Sequence, residues 1–213
     1  IGSSLVGSEM CIRDSRSKVL DKWSISVNSG EIVCLAGENG CGKSTVIETA
    51  SGLIPLENGS AMISEQLVRD SEGRRGRPIF GLCLQDDCVM GDELVGERVL
   101  DAAGFDFDVQ VLLKAWGLDH RIHDRIALLS GGQRRKVALL SGLIPAMISQ
   151  TPVAVLLDEP DSGLDDNSIK KLAETLRNLA AGGHAVLVSS HDSRIIEVSH
   201  RAVSYTHLTL PTR

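Results

Sequence analysis

Nine consecutive residues, Gly37-Glu38-Asn39-Gly40-Cys41-Gly42-Lys43-Ser44-Thr45, have the spacing of a loop that holds phosphate. Glycines let successive backbone N–H groups turn inward around anionic oxygens, and the N-terminus of a following helix adds its dipole. In such a loop Lys43 would reach the β- and γ-phosphates of a nucleotide, and the Ser44 hydroxyl would ligate Mg²⁺. A second cluster, Asp158-Glu159, closes the apolar run Val153-Ala154-Val155-Leu156-Leu157. Apolar residues ending in acid put carboxylates at the carboxyl edge of a buried strand, where open α/β sheets bind ligands. There Asp158 would hold Mg²⁺ through water, and Glu159 would orient or deprotonate an attacking water. A third cluster is Leu129-Ser130-Gly131-Gly132-Gln133, followed by Arg134, Arg135 and Lys136. Ser130 is placed to cap a helix whose first turn, Gly131-Gly132, is bare, which makes an anion site.

The Leu129–Gln133 stretch resembles the signature of the ABC ATPase family, and the resemblance extends over about residues 17–202. It implies that Ser130, Gly131, Gly132 and Gln133 meet the γ-phosphate of an ATP held by another subunit. Two ATPs would then be sandwiched in a head-to-tail dimer, with a second copy or a paralogous ATPase subunit as partner. Gln85, which follows a strand pattern ending at Leu84, falls at the family's Q-loop position, where a glutamine senses Mg²⁺ and the attacking water. His191, in Ser190-His191-Asp192, falls at the switch histidine that contacts the γ-phosphate. Ser162-Gly163-Leu164-Asp165 resembles the D-loop, in which Asp165 helps position groups across the dimer. The resemblance thus implies catalysis by Glu159, His191, Gln85 and Lys43, and Mg²⁺ ligation by Ser44, Gln85 and Asp158. Two departures stand out. Asp161 sits where the family usually has Thr, with little consequence expected. The aromatic that usually stacks on adenine falls in the first 15 residues, where no aromatic exists, and Trp23 is expected to pack inward from a strand.

The elements that must position these residues alternate. Strand patterns cover 24–27, 32–36, 59–64, 78–84, 153–157 and 185–189. Helical patterns cover 43–53, 131–148, 167–180 and 193–198, and 95–129 reads as mostly helical with breaks at Gly104 and Gly117. Such alternation implies an α/β fold with a mostly parallel sheet covered on both faces. The resemblance refines this to a P-loop NTPase core with a small antiparallel β subdomain and an inserted helical subdomain at about 86–128. Arg69 to Arg77 reads as a solvated loop, since it has no interleaved aromatic for stacking on bases. The start, 1–15, and the end, 203–213, resemble translated adapter read-through and are set apart from the ATPase domain at 16–202.

Composition bounds the function. With 213 residues and 42% hydrophobic against 23% charged, the chain can bury a core without staples. Lys+Arg 22 against Asp+Glu 28 leaves a net charge of −6, so no nucleic-acid partner is expected. No run approaches the roughly 20 apolar residues of a membrane span. The five cysteines, Cys11, Cys34, Cys41, Cys83 and Cys88, fit a reducing compartment and complete no zinc site. His120, His123, His184 and His200 are expected at the surface. The expectation is a MgATP-binding and hydrolysing subunit, cytoplasmic and peripheral at the inner face of the membrane, that powers separate membrane-spanning subunits. A soluble ABC ATPase of the iron–sulfur assembly or translation-factor type is the alternative.

Overall fold

The computed structural model describes residues 6–11, 23–56, 58–86, 91–104 and 108–205. Most of the two terminal stretches, Cys88 and His207 lie outside them. The parallel sheet is built from β3 (Ile32–Gly37), β6 (Phe80–Cys83), β7 (Ala154–Asp158), β8 (Ala185–Ser189) and β9 (Arg201–Tyr205). Its order is β6-β7-β8-β3-β9, every pair parallel. A smaller antiparallel sheet, β2-β1-β4-β5, holds β1 (Val6–Cys11), β2 (Trp23–Val27), β4 (Asn58–Ile63) and β5 (Gln66–Asp70). Val6–Cys11, inside the stretch read as foreign, therefore pairs between β2 and β4, and Val203–Tyr205 complete β9 beside β3. The loop expected at Arg69 begins within β5, whose Arg69 donates to the Gly52 carbonyl at 3.1 Å.

Side-chain period 2 sorts the central strands onto two cores. Ile32, Cys34, Val155, Leu157, Val186 and Val188 face one, with α4 (Gly131–Ile148), α5 (Asp166–Ala181) and α6 (Ser193–Val198). Val33, Leu35, Ala154, Leu156, Ala185 and Leu187 face the other, with α1 (Lys43–Ala50) and the antiparallel sheet. The stretch 95–129 is less helical than its pattern implied. It forms α2 (Val95–Ala103), α3 (Val109–Ala115) and two 3₁₀ turns, Asp119–Arg121 and Ile126–Leu128. Leu113, Leu118 and Ile126 are fully buried in the same core as α4, so this stretch packs against that helix through shared apolar surface.

One close approach sets where α4 lies. A Cβ at Gly81 on β6 would run into the Gly142 carbonyl, and one at Gly142 would run into the Leu82 carbonyl. Helix and strand thus meet backbone to backbone, which only glycine permits on both sides.

Candidate nucleotide site

The loop between β3 and α1 turns through glycines at positive φ, Gly40 at 81° and Gly42 at 105°. Gly42 is the N-cap of α1, and no side chain caps that helix. Lys43 is 4% exposed, and its Nζ donates to the carbonyls of Gly37 (2.9 Å) and Glu38 (3.1 Å). A buried ammonium inside a ring of inward-turned backbone, at an uncapped helix start, is a cradle for a polyphosphate.

Asn39, Gly40, Gly42, Lys43, Ser44, Thr45, Gln85 and Glu159 line one cleft of about 360 Å³. Gln85 Nε2 donates to Glu159 Oε2 at 3.3 Å, and His191 Nε2 lies 3.8 Å from Glu159 Oε1. Two of the residues singled out for catalysis, Gln85 and His191, therefore converge on the carboxylate of a third, Glu159. Asp158 is 1% exposed and accepts a 2.6 Å hydrogen bond from Ser189 Oγ. The same hydroxyl accepts from the Glu159 amide at 2.8 Å. Glu159 holds a left-handed backbone, φ 43°, a conformation that costs a non-glycine residue ~1–3 kcal/mol and marks functional turns.

Mg²⁺ takes oxygen ligands and binds through one or two carboxylates together with phosphate oxygens. The residues fit it. Ser44 stands in the first turn of α1, Gln85 lines the cleft, and Asp158 ends β7. Glu48, one turn beyond Ser44, has its carboxyl raised above the ordinary range by burial, then by the charges of Asp158 and Asp86. That is the negative field a divalent cation would neutralise.

The remaining residues stand apart from this cleft. Ser130 and Gln133 form a reciprocal capping box at the start of α4: Ser130 Oγ accepts from the Gln133 amide at 3.3 Å, and Gln133 Oε1 from the Ser130 amide at 3.0 Å. Gly131 has open space around it, whereas a Cβ at Gly132 would sit 2.9 Å from the Gly163 carbonyl, so packing explains one of the two glycines. Asp165 caps α5 through the Ser168 amide (2.9 Å) and pairs with Lys136 Nζ at 2.8 Å. The Lys136 ammonium, helped by that amide, holds the Asp165 carboxyl well below the usual carboxylate range. Asp161, expected to matter little, has its Oδ1 out of water with no hydrogen-bond partner.

Sequence reasoning missed Ser189, whose hydroxyl is invisible as a site residue until parallel pairing sets it opposite Asp158. It passed over Arg194, which grips Asp192 through both carboxylate oxygens (2.8 and 2.6 Å) and Asp166 Oδ1 at 3.0 Å. His184 corrects an expectation. It is 7% exposed rather than at the surface, its Nδ1 accepts from the Val153 amide at 3.2 Å, and burial lowers its pKa below 6.5.

A glycine loop between strand and helix, with an acidic strand end across the cleft, defines a nucleoside-triphosphate-binding α/β domain. The family model described as ABC transporter matches residues 20–162, and the chain belongs to that family. A Streptomyces coelicolor protein whose name is that of an ABC transporter ATP-binding protein is 32% identical over 202 residues, 91% of this chain and 35% of that protein. The sulfate/thiosulfate import ATP-binding protein CysA 2 of Chromobacterium violaceum is 30% identical over 204 residues, 91% of this chain and 54% of its own length. The macrolide export ATP-binding/permease protein MacB of Burkholderia pseudomallei is 30% identical over 197 residues, 87% of this chain and 29% of that protein. The chain thus spans about a third to a half of these relatives. The solved structure of an ATP-binding subunit of an ABC transporter shares the fold, with a TM-score of 0.78 at 24% identity over 94% of this chain and 85% of that one.

Proposed function

We propose that the chain binds MgATP in the cleft between Lys43 and Glu159, hydrolyses it within a head-to-tail dimer, and so powers membrane-spanning partner subunits. One observation carries the reading. The phosphate loop, Gln85, Glu159 and His191 gather at one cleft, while Ser130–Gln133 and Asp165 lie away from it. An anion-binding helix start with no nucleotide of its own suits the ATP of a second ATPase subunit, either another copy or a paralogue.

In this reading Lys43 and the loop amides hold the β- and γ-phosphates, and Ser44, Gln85 and Asp158 hold Mg²⁺. The cation supplies charge neutralisation at the transferred phosphoryl group. Glu159, fixed between Gln85 and His191, accepts a proton from the water whose oxygen attacks the γ-phosphorus. The bond from that phosphorus to its bridging oxygen breaks, and ADP leaves. His191 faces the same carboxylate from the end of β8 and is placed to meet the γ-phosphate.

The partner side rests on two observations. Among the described residues no helix is long and apolar enough to cross a membrane. Beside Gln85 runs a groove of about 260 Å³ whose lining includes Leu53, Leu82, Leu84, Asp86 and Arg98. A helix of a membrane subunit fits that groove, and this would place the chain at the cytoplasmic face of the membrane. The relatives named for import and for export leave direction and cargo to those partners.

The test is Glu159→Gln, which keeps the shape of the site and removes the base. Size-exclusion chromatography with MgATP is expected to give a dimer for this variant and a monomer for Lys43→Ala, which should also lose ATP binding. A Glu159→Gln chain that binds ATP yet elutes only as monomer refutes the composite site.

A further inference from the structure

Arg135 lies one turn into α4 and is 4% exposed. The backbone contact of α4 with β6 at Gly81 and Gly142 brings this guanidinium to the carboxyl ends of β6 and β7. There it forks. One terminal nitrogen donates to the carbonyls of Leu84 (2.7 Å) and Gln85 (3.1 Å), and the other to those of Asp158 (3.0 Å) and Glu159 (2.7 Å). A single planar group therefore ties together the two strand ends whose next side chains, Gln85 and Glu159, meet at 3.3 Å in the cleft.

The Glu159 peptide shows why this matters. Its left-handed backbone is held on the amide side by Ser189 Oγ and on the carbonyl side by Arg135 (2.7 Å) together with the Ser162 amide (3.0 Å). Without Arg135 the carbonyl keeps the Ser162 amide, a contact within the turn itself, and loses the guanidinium that ties that turn to the end of β6 where Gln85 follows. The carbonyls named here lie outside the phosphate loop that would grip the nucleotide, so loss of Arg135 should weaken turnover more than ATP affinity.

We propose that Arg135 is a positioning residue for hydrolysis: it fixes Gln85 and Glu159 relative to each other through their backbones without touching nucleotide. The proposal rests on the ATPase reading above. Lysine cannot replace it, because an ammonium is a point donor and lacks the two-pronged plane that spans both strand ends.

The test uses the full chain with Arg135→Gln and Arg135→Lys. ATP affinity is read with a fluorescent ATP analogue, turnover by phosphate release, and loop order by amide hydrogen exchange. Both variants are expected to keep affinity within about twofold and lose about tenfold or more in kcat, the split that marks an interaction used in turnover rather than in binding. Exchange should quicken in peptides spanning 84–86 and 158–163 and stay unchanged across α5. Unchanged kcat, unchanged exchange at the two strand ends, or a joint collapse of affinity, turnover and melting temperature each overturns the proposal. A wild-type chain that binds ATP without hydrolysing it refutes the ATPase reading instead, and the exchange comparison then decides the claim for Arg135.

Discussion

Ser189→Ala is the most discriminating perturbation of the site. The Ser189 side chain is fully buried, donates to Asp158 Oδ1 at 2.6 Å and accepts from the Glu159 amide at 2.8 Å. Truncation leaves a carboxylate oxygen of a 1% exposed residue, and a neighbouring amide, without this partner. A hydrogen bond to a charged acceptor is worth ~1.5–3 kcal/mol, and an amide left unpaired adds about 1 more, so a loss of roughly 3 kcal/mol is expected. For a chain of this size each kcal/mol moves the melting temperature by ~2–4 °C, which makes the expected fall ~6–12 °C. The assay is thermal unfolding followed by circular dichroism without nucleotide, so that lost ligand binding cannot contribute. The left-handed turn at Glu159 also loses its amide anchor, so ATP turnover should fall more than ATP affinity. A Ser189→Ala chain that melts within about 2 °C of wild type refutes the view that this hydroxyl holds the two acidic residues in place.

His184 gives a pH dependence. Burial lowers its pKa below the ordinary 6.5, so its contribution to stability is complete above pH 6.5 and is lost as pH falls through 6.5 towards the lower folded value. Melting temperature should therefore drop on acidification through that window, and less steeply in His184→Gln; parallel profiles for the two proteins contradict the assignment. Gly142→Ala drives a Cβ into the Leu82 carbonyl and should cost ~1–3 kcal/mol in thermal unfolding. Gly131→Ala, with open space around it, should leave the melting temperature unchanged or raise it, and equal losses at both positions would refute the close-approach argument.

Elements whose cues lie within the segment itself were legible. The bounds 131–148, 185–189 and 193–198 read from the sequence coincide with α4, β8 and α6. Ser130 was legible as the cap of α4 from its place before Gly131, the structure adds Gln133 as the reciprocal half of a capping box, and α4 runs to Ile148 with Pro145 inside it. Elements that depend on a distant partner were not legible. β5 hides in a charged stretch because its inward Asp70 is buried beside Arg74, with which it pairs. β1 and the end of β9 were set aside for their resemblance to adapter read-through, yet each is a strand by virtue of its neighbours, β2 and β4 for one and β3 for the other. The candidate site divides the same way. Loop and strand-end residues such as Lys43 and Asp158 could be picked out in one dimension. Ser189 and Arg135 act on other strands through a hydroxyl and a guanidinium, and only strand register and helix position give those atoms their partners.

The links that hold the motif loops differ in strength, and the difference follows burial. Lys136 pairs with an Asp165 side chain that is 57% exposed, and Arg194 reaches an Asp166 side chain that is 85% exposed. Exposed pairs of this kind contribute little and weaken with salt. The bonds of Ser189 and Arg135 are shielded, and breaking either leaves buried polar groups unpaired, which costs several-fold more. The ends of β6 and β7 are therefore held by shielded bonds and the turn carrying Asp165 by a weaker ion pair, while the loop carrying His191 lies between the two, since Arg194 grips the largely shielded Asp192 beside it through both oxygens. If the composite site proposed above forms, the turn carrying Asp165 is the part expected to rearrange as a partner's nucleotide arrives, since parts that move are drawn from the low-stability end of a fold. The strongest polar contacts of the candidate site thus fall on the backbones of Gln85 and Glu159, whose separation the proposed hydrolysis needs fixed, and the weakest on the turn carrying Asp165.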